Sequence, residues 1–283
     1  MTRLIVLASR LRADELRIFE TLERRGVRFT HVDPRRFWGF PDRTDNTGTL
    51  VLNREISFTR ALYAARTLEA HGMAVVNTAA ATELCGDKWR TTLALTEAGL
   101  PVPPTALALT PESALDALDE IGYPAVVKPL VGSWGRLVSA VPDRAVAETV
   151  LEYVAALPGP QSHVVYAQKM VAKPGRDIRV AVLGGEAVGA GYRRADHWRT
   201  NVSRGAATEY CELTAELSKL AVAAAGAVQA DIAGVDVIED TDGGLLILEV
   251  NHGLEFSGLQ HALGDRVDVA GQLVDYLLAR ADG

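Results

Sequence analysis

Short aliphatic runs that alternate with helix-period segments constrain this chain most. Leu4 to Ala8 is an unbroken apolar run. Glu15 to Arg25 then carries Leu16, Ile18, Phe19 and Leu22 on one helical face and stops at Gly26, and Val27 to Val32 is a second run. A strand, an amphipathic helix and a strand in that order select an α/β fold. The turn after the first strand has no GxGxxG, so no dinucleotide is placed there. A further α/β unit is predicted over 60–77, its helix ending near His71-Gly72 and its strand covering Met73 to Val76.

The pattern then changes character. A helix is predicted over Asp87 to Ala98, closed by Gly99 and the prolines at 101, 103 and 104, and another over Glu112 to Ile121 behind Pro111. Strands are predicted over Ala125 to Lys128, Leu137 to Val141 and Val164 to Met170, with a helix over Arg144 to Ala156. After the linker Lys173 to Arg176, Arg179 to Leu183 and Ala187 to Gly191 flank Gly184-Gly185, a two-residue hairpin turn. A helix over Ala215 to Gln229 and strands over Ala233 to Ile238 and Leu245 to Val250 follow. A chain of 283 residues exceeds what one core organises, and the divisions fall at 1–82, 83–174 and 175–283.

Composition excludes several classes. With 48% hydrophobic and 23% charged residues the chain is no disordered segment. Its longest apolar stretches, such as Leu220 to Val228, fall short of the roughly 20 residues that cross a bilayer. The first apolar run meets Arg10, Arg12, Asp14 and Glu15, which is no signal peptide, so the expected compartment is the cytoplasm. Cys85 and Cys211 form no CxxC pair, and neither a disulfide framework nor a thiolate metal site is expected. The net charge of −7 argues against nucleic acid as a partner. Residues 123–204, however, hold 11 Lys/Arg against 6 Asp/Glu, a basic centre between acidic flanks.

The last strand pair carries the most informative chemistry. If Asp242-Gly243 is the centre of a two-residue turn, Asp236 faces Glu249, Asn251 extends the same face, and Ile238 and Ile247 lie beside them. Opposed carboxylates repel, so something positive belongs between them, either a divalent ion or an arginine. Asp, Glu and Asn oxygens suit a hard ion, Mg²⁺ or Mn²⁺, and Mg²⁺ commonly shares its shell with nucleotide phosphates. His252 is read as a hydrogen-bonding wall residue.

No GxxxxGK[ST] is present, so the phosphates need a different cradle. Gly132, Ser133, Trp134 and Gly135 supply small residues, a hydroxyl and free N–H groups, with Lys128 upstream and Lys88 on the preceding helix. Arg179 and Arg193 lie on hairpin strands and face a surface suited to a phosphoryl group or carboxylate. Arg194 has the opposite parity and fits a surface ion pair as well as a substrate. Trp134 and Trp198 suit a lid or a core.

Taken in order, Asp87-Lys88, Val127-Lys128-Pro129, Gly132-Ser133-Trp134-Gly135-Arg136, Asp177-Ile178-Arg179, Tyr192-Arg193-Arg194, Thr200-Asn201-Val202-Ser203-Arg204-Gly205, Val235-Asp236 and Glu249-Val250-Asn251 resemble the ATP-grasp ligases of the RimK-like group. Within it the chain is most similar to the LysX branch, which joins an amino acid to the C-terminal glutamate of a small acidic carrier, LysW. The resemblance implies an α/β ATP-grasp fold with an N-terminal pre-ATP-grasp domain, a small central lid domain and a larger C-terminal domain, and a homo-oligomer, dimer or tetramer. It implies that Lys88, Lys128 and the 132–136 loop hold ATP phosphates, that Gln168, Lys169 and Met170 form the adenine hinge, and that Asp236, Glu249 and Asn251 hold two Mg²⁺ ions. It places Arg179, Arg193 and Asn201 at the reacting groups, with Arg194, Arg204, His252, Glu255 and Phe256 toward the substrates. Two departures stand out. Lys169 replaces the acidic residue common after the hinge glutamine, and 252–258 reads His-Gly-Leu-Glu-Phe-Ser-Gly where a Thr-Met-Glu-Phe-Lys-Asn-like stretch is usual. The chemistry implied is ADP-forming carboxylate–amine ligation. A RimK-type protein ligase, a small-molecule ligase and an ATP-binding regulatory module are the alternatives.

Overall fold

A computed structural model describes residues 3–42, 48–132, 136–194 and 207–282. Three sheets follow one another along the chain. The first is parallel, in the order β2-β1-β3-β4, built from β1 (Arg3–Leu7), β2 (Phe29–Val32), β3 (Thr49–Asn53) and β4 (Ala74–Val76). Helices α1 (Ala13–Arg24) and α2 (Phe58–Ala70) cover it. Every residue of β3 is buried. Such a strand shows no alternation, and its Leu50-Val51-Leu52 core is too short to separate by pattern from its surroundings.

Helices α3 (Ala79–Gly86) and α4 (Lys88–Glu97) lead to the second sheet. Asp87 breaks them apart: its carboxylate accepts from the N–H groups of Trp89 and Arg90 and so starts α4 at Lys88. The second sheet is antiparallel, β5-β8-β6-β7, from β5 (Thr105–Ala108), β6 (Ala125–Lys128), β7 (Ser139–Val141) and β8 (Val165–Lys169). On it lie α5 (Pro111–Ile121), opened by a Thr110–Ser113 capping box with proline at its start, and α6 (Arg144–Ala155). Ala114, Leu118, Ala147 and Leu151 close this core.

The third sheet, also antiparallel, runs β11-β10-β9-β12-β13, from β9 (Arg176–Leu183), β10 (Glu186–Arg194), β11 (Ala207–Cys211), β12 (Ile232–Glu239) and β13 (Leu245–Asn251). Gly184 and Gly185, both at positive φ, make the two-residue turn between β9 and β10. Helix α7 (Ala215–Ala227) packs one face through Leu217, Ala221, Ala224 and Ala225, where α3 and α4 add Ala81, Cys85 and Leu95. On the other face α8 (Ser257–Leu263) and α9 (Val269–Asp282) share one core with the first sheet: Leu4, Val6, Leu50 and Leu52 meet Phe256, Leu259, Leu273 and Leu277. This common core fixes the carboxyl ends of β1 and β3 against the third sheet. Among the described residues no helix is long and apolar enough to cross a membrane.

Candidate active site

Asp236 does face Glu249, but for a different reason than a two-residue turn supplies. Asp240 and Gly244 close a three-residue turn, which pairs Glu239 with Leu245. A bulge between Asp236 and Val237 then shifts the register by one and restores the Asp236–Glu249 pair. The bulge also sends Ile247 to the opposite face, into the core with Val235 and Val237, and not beside the carboxylates.

The positive charge that this pair requires comes first from arginine. Arg179 on β9 is the cross-strand neighbour of Asp236, with Nε 2.6 Å from Oδ1 and NH2 donating to Oδ2 at 3.2 Å. Arg193 on β10 puts NH2 2.9 Å from Oδ1 and donates from Nε to Asp177 at 2.8 Å. Arg193 lies above its ordinary pKa: burial opposes its charge, and the Asp236 and Asp177 carboxylates overcome that. Gly234 makes room for the arrangement, since a Cβ there would fall 2.2 Å from NH1 of Arg179. Asn251 Nδ2 reaches Asp236 Oδ2 and the Gly234 carbonyl, each at 3.4 Å.

The same face fits a hard cation. Oδ1 of Asp236 is buried and, although two guanidinium nitrogens touch it, accepts no hydrogen bond of acceptable geometry. Glu249 is 29% exposed and has Lys88 at 3.6 Å. The oxygens of Asp236, Glu249 and Asn251 are an all-oxygen set with valence to spare.

Lys88, at the start of α4, donates to the Gly132 carbonyl at 2.8 Å, so one ammonium joins the entry of the 132–136 loop to Glu249. Lys128 at the end of β6 donates to Gln168 Oε1 at 2.6 Å and lies over the Tyr166 ring. Burial brings Lys128 down to about 8, with Glu249 acting in the opposite sense. Gln168 is buried, and its amide donates to Thr105 and Tyr166. Met170 donates its N–H to the Pro124 carbonyl. Arg136 is exposed.

Several expected site residues are placed elsewhere. Lys169 turns its ammonium to the Tyr123 carbonyl, where it holds a neighbouring loop. Phe256 is fully buried in the core shared with the first sheet, because its N–H is tied to Asp14 and its ring faces inward. Arg194 leaves β10 on the face opposite Arg193 and pairs with Glu209 at an exposed position. Ser133, Trp134, Gly135, Trp198, Asn201 and Arg204 lie outside the described residues.

A cleft of about 610 Å³ joins Arg179, Arg193, Asp236, Glu249 and Asn251 to a wall that the sequence reading missed. It runs from Cys85, Gly86 and Gly132 past Arg179, Arg193, Asp236, Glu249 and Asn251 to His252 and Glu255, and ends on Arg12, Asp14, Arg54 and Glu55 of the first sheet's side. Burial, and then the nearby Arg54 charge, bring His252 down to about 4, so it is neutral. Glu255 is ion-paired with Arg12. Arg54, with 2% of its side chain exposed, donates to Glu15 and to the Leu254 carbonyl. Once β3 is located, the wall has a physical signature: Arg54-Glu55 follows the carboxyl end of a parallel strand, where open α/β sheets bind ligands.

A RimK-like ATP-grasp domain model matches residues 85–277 and a LysX pre-ATP-grasp domain model matches residues 4–84. The glutamate–LysW ligase ArgX of Sulfurisphaera tokodaii is 31% identical, covering 97% of this chain and 98% of its own. The α-aminoadipate–LysW ligase LysX of Saccharolobus solfataricus is 35% identical over 73% of this chain and 76% of its own. The crystal structure of a RimK domain ATP-grasp protein from Sphaerobacter thermophilus superimposes with a TM-score of 0.82 at 28% identity, covering 98% of this chain and all of that one.

Proposed function

The chain belongs to the RimK-like ATP-grasp ligases and carries a LysX-type pre-ATP-grasp domain, and from that premise we propose that it joins an amino acid to the C-terminal glutamate of a small acidic LysW-like carrier, forming ADP. The observation that carries this reading is the continuity of the cleft. Gly132, whose carbonyl accepts from Lys88, at one end and a charged wall at the other leave Arg179, Arg193 and Asp236 midway, where two substrates can meet. The near full-length similarity to a glutamate–LysW ligase supports the carrier.

In this scheme an oxygen of the acceptor carboxylate attacks the γ-phosphorus of ATP, and the bond to ADP breaks. The amine nitrogen then attacks the acyl carbon, the C–O bond to phosphate breaks, and the nitrogen gives up its proton. Lys88, Lys128 and the 132–136 loop hold the phosphates, and Gln168 to Met170 border the adenine through their backbone. Arg179, Arg193 and Asn201 spread the charge that develops at the transferring group. Asp236, Glu249 and Asn251 would hold magnesium, two ions or manganese in its place, which supplies neutralisation of phosphate charge. Arg204, His252 and Glu255 border the substrates. No enzyme nucleophile is required: Cys85 lines the cleft, but burial pushes its thiol well above its usual value.

The test incubates the protein with Mg-ATP, a LysW-type carrier and a panel of amino acids, then weighs the carrier. A gain of one amino acid less water, with ADP, is the expected result. AMP formation refutes the scheme, and turnover of a small-molecule acid with no carrier reassigns the acceptor.

A further inference from the structure

On the first-sheet wall of the cleft, two adjacent side chains hold buried polar atoms that make no hydrogen bond. Glu55 lines the cleft, and its side chain is fully buried. Its Oε1 is fully used: it accepts from the Ser57 N–H at 2.8 Å and from Arg60 Nε and NH2 at 3.1 and 2.9 Å. Its Oε2 is buried and accepts nothing. Arg54, 4% exposed, is the mirror case. Its Nε and NH1 donate to Glu15 and Leu254, while NH2, ion-paired with Glu15 at 2.9 Å and Asp14 at 3.5 Å, makes no hydrogen bond.

Buried carboxylate oxygens and guanidinium nitrogens are rarely left this way in a folded chain, and at a cleft a ligand is what completes them. The two orphans have opposite sign and sit next to each other in sequence at the carboxyl end of β3. One small ligand that satisfies both carries an ammonium and a carboxylate. Arg179 and Arg193 already present cations midway along the cleft, where an acceptor acid belongs, and an acidic oxygen on the far wall has no use for a second acid. It suits the amine partner.

Resting on the ligase reading above, we propose that Glu55 and Arg54 form the docking site for the incoming free α-amino acid. Glu55 Oε2 receives its ammonium and Arg54 NH2 its α-carboxylate. The nucleophile therefore enters along the pre-ATP-grasp domain, opposite the phosphate end.

The test uses Glu55→Gln, which keeps an acceptor for Ser57 and Arg60 and replaces Oε2 by an N–H donor. With carrier, Mg-ATP and whichever of glutamate or 2-aminoadipate the wild type uses, KM for the amino acid rises roughly 10- to 100-fold, the loss of one charge-assisted hydrogen bond. KM for ATP stays unchanged. Hydroxylamine, a small amine with no ammonium charge at neutral pH and no carboxylate, still traps the acyl phosphate as carrier hydroxamate at the wild-type rate. An unchanged amino-acid KM with hydroxamate intact overturns the proposal, and so does parallel loss of both reactions, which would assign Glu55 to the fold. Absence of hydroxamate in the wild type strikes instead at the ligase reading. The α-amide of the same amino acid tests the Arg54 half: the wild type should prefer the free acid roughly tenfold or more, and equal use of the two overturns that half.

Discussion

Lys128 offers a quantitative handle on the proposed phosphate contacts. In the free protein burial brings its ammonium from 10.5 to about 8. If it meets a nucleotide phosphate, binding favours the protonated form, so affinity is full below pH 8 and falls above it. Linkage gives the size: the protonated fraction drops from about nine-tenths at pH 7 to about one-tenth at pH 9, and the apparent dissociation constant rises about tenfold over that span. ADP titrated by calorimetry in a chelator isolates the effect, because its phosphates are fully ionised above pH 7 and no metal alters the field around Lys128. Lys128→Met should bind roughly 10- to 100-fold more weakly at pH 7, the loss of one charge-assisted contact, and should show no such slope. The wild-type and variant curves then approach each other as pH rises. A wild-type curve flat from pH 7 to pH 9, or a Lys128→Met curve with the same slope, refutes the placement of Lys128 on phosphate.

Further outcomes follow from the same geometry. Asp236→Asn leaves Arg179 without its carboxylate beneath the cleft, so thermal unfolding should report a loss of about 3–5 kcal/mol, and ligation should cease. Gly234→Ala should leave the fold intact and displace the Arg179 guanidinium, lowering kcat by roughly 100-fold, read in the ADP-release assay. Phe256→Ala should cost about 3–5 kcal/mol in thermal unfolding and leave the amino-acid KM unchanged, because the ring packs the core and not the substrate. Arg194→Ala should change stability by less than about 1 kcal/mol and leave turnover unaltered.

How much of this was legible depended on whether a local pattern carried the information. The Gly184-Gly185 hairpin was, because two positive-φ residues between aliphatic runs admit few other structures. The Asp236–Glu249 pairing was reached from a turn that does not exist, and a compensating bulge restored it; bulges leave no period in a sequence. An unspecified arginine was one of two expected compensations for Asp236, and Arg179 could not be singled out, since cross-strand pairing between β9 and β12 spans a helix and two strands. Phe256 was misplaced because it stands between cleft residues, and only the packing of α8 and α9 onto the first sheet turns its ring inward. The Arg54-Glu55 wall escaped because β3, buried throughout, shows no alternation, and without the strand its carboxyl end could not be located.

The central claim is that a carboxylate oxygen passes to the phosphate cleaved from ATP. Carrier labelled with ¹⁸O in its C-terminal glutamate carboxylates, turned over with Mg-ATP and amino acid, tests it directly. One ¹⁸O atom in each inorganic phosphate, with unlabelled ADP, is the predicted result. Label in AMP, or phosphate free of label while amide accumulates, would contradict it.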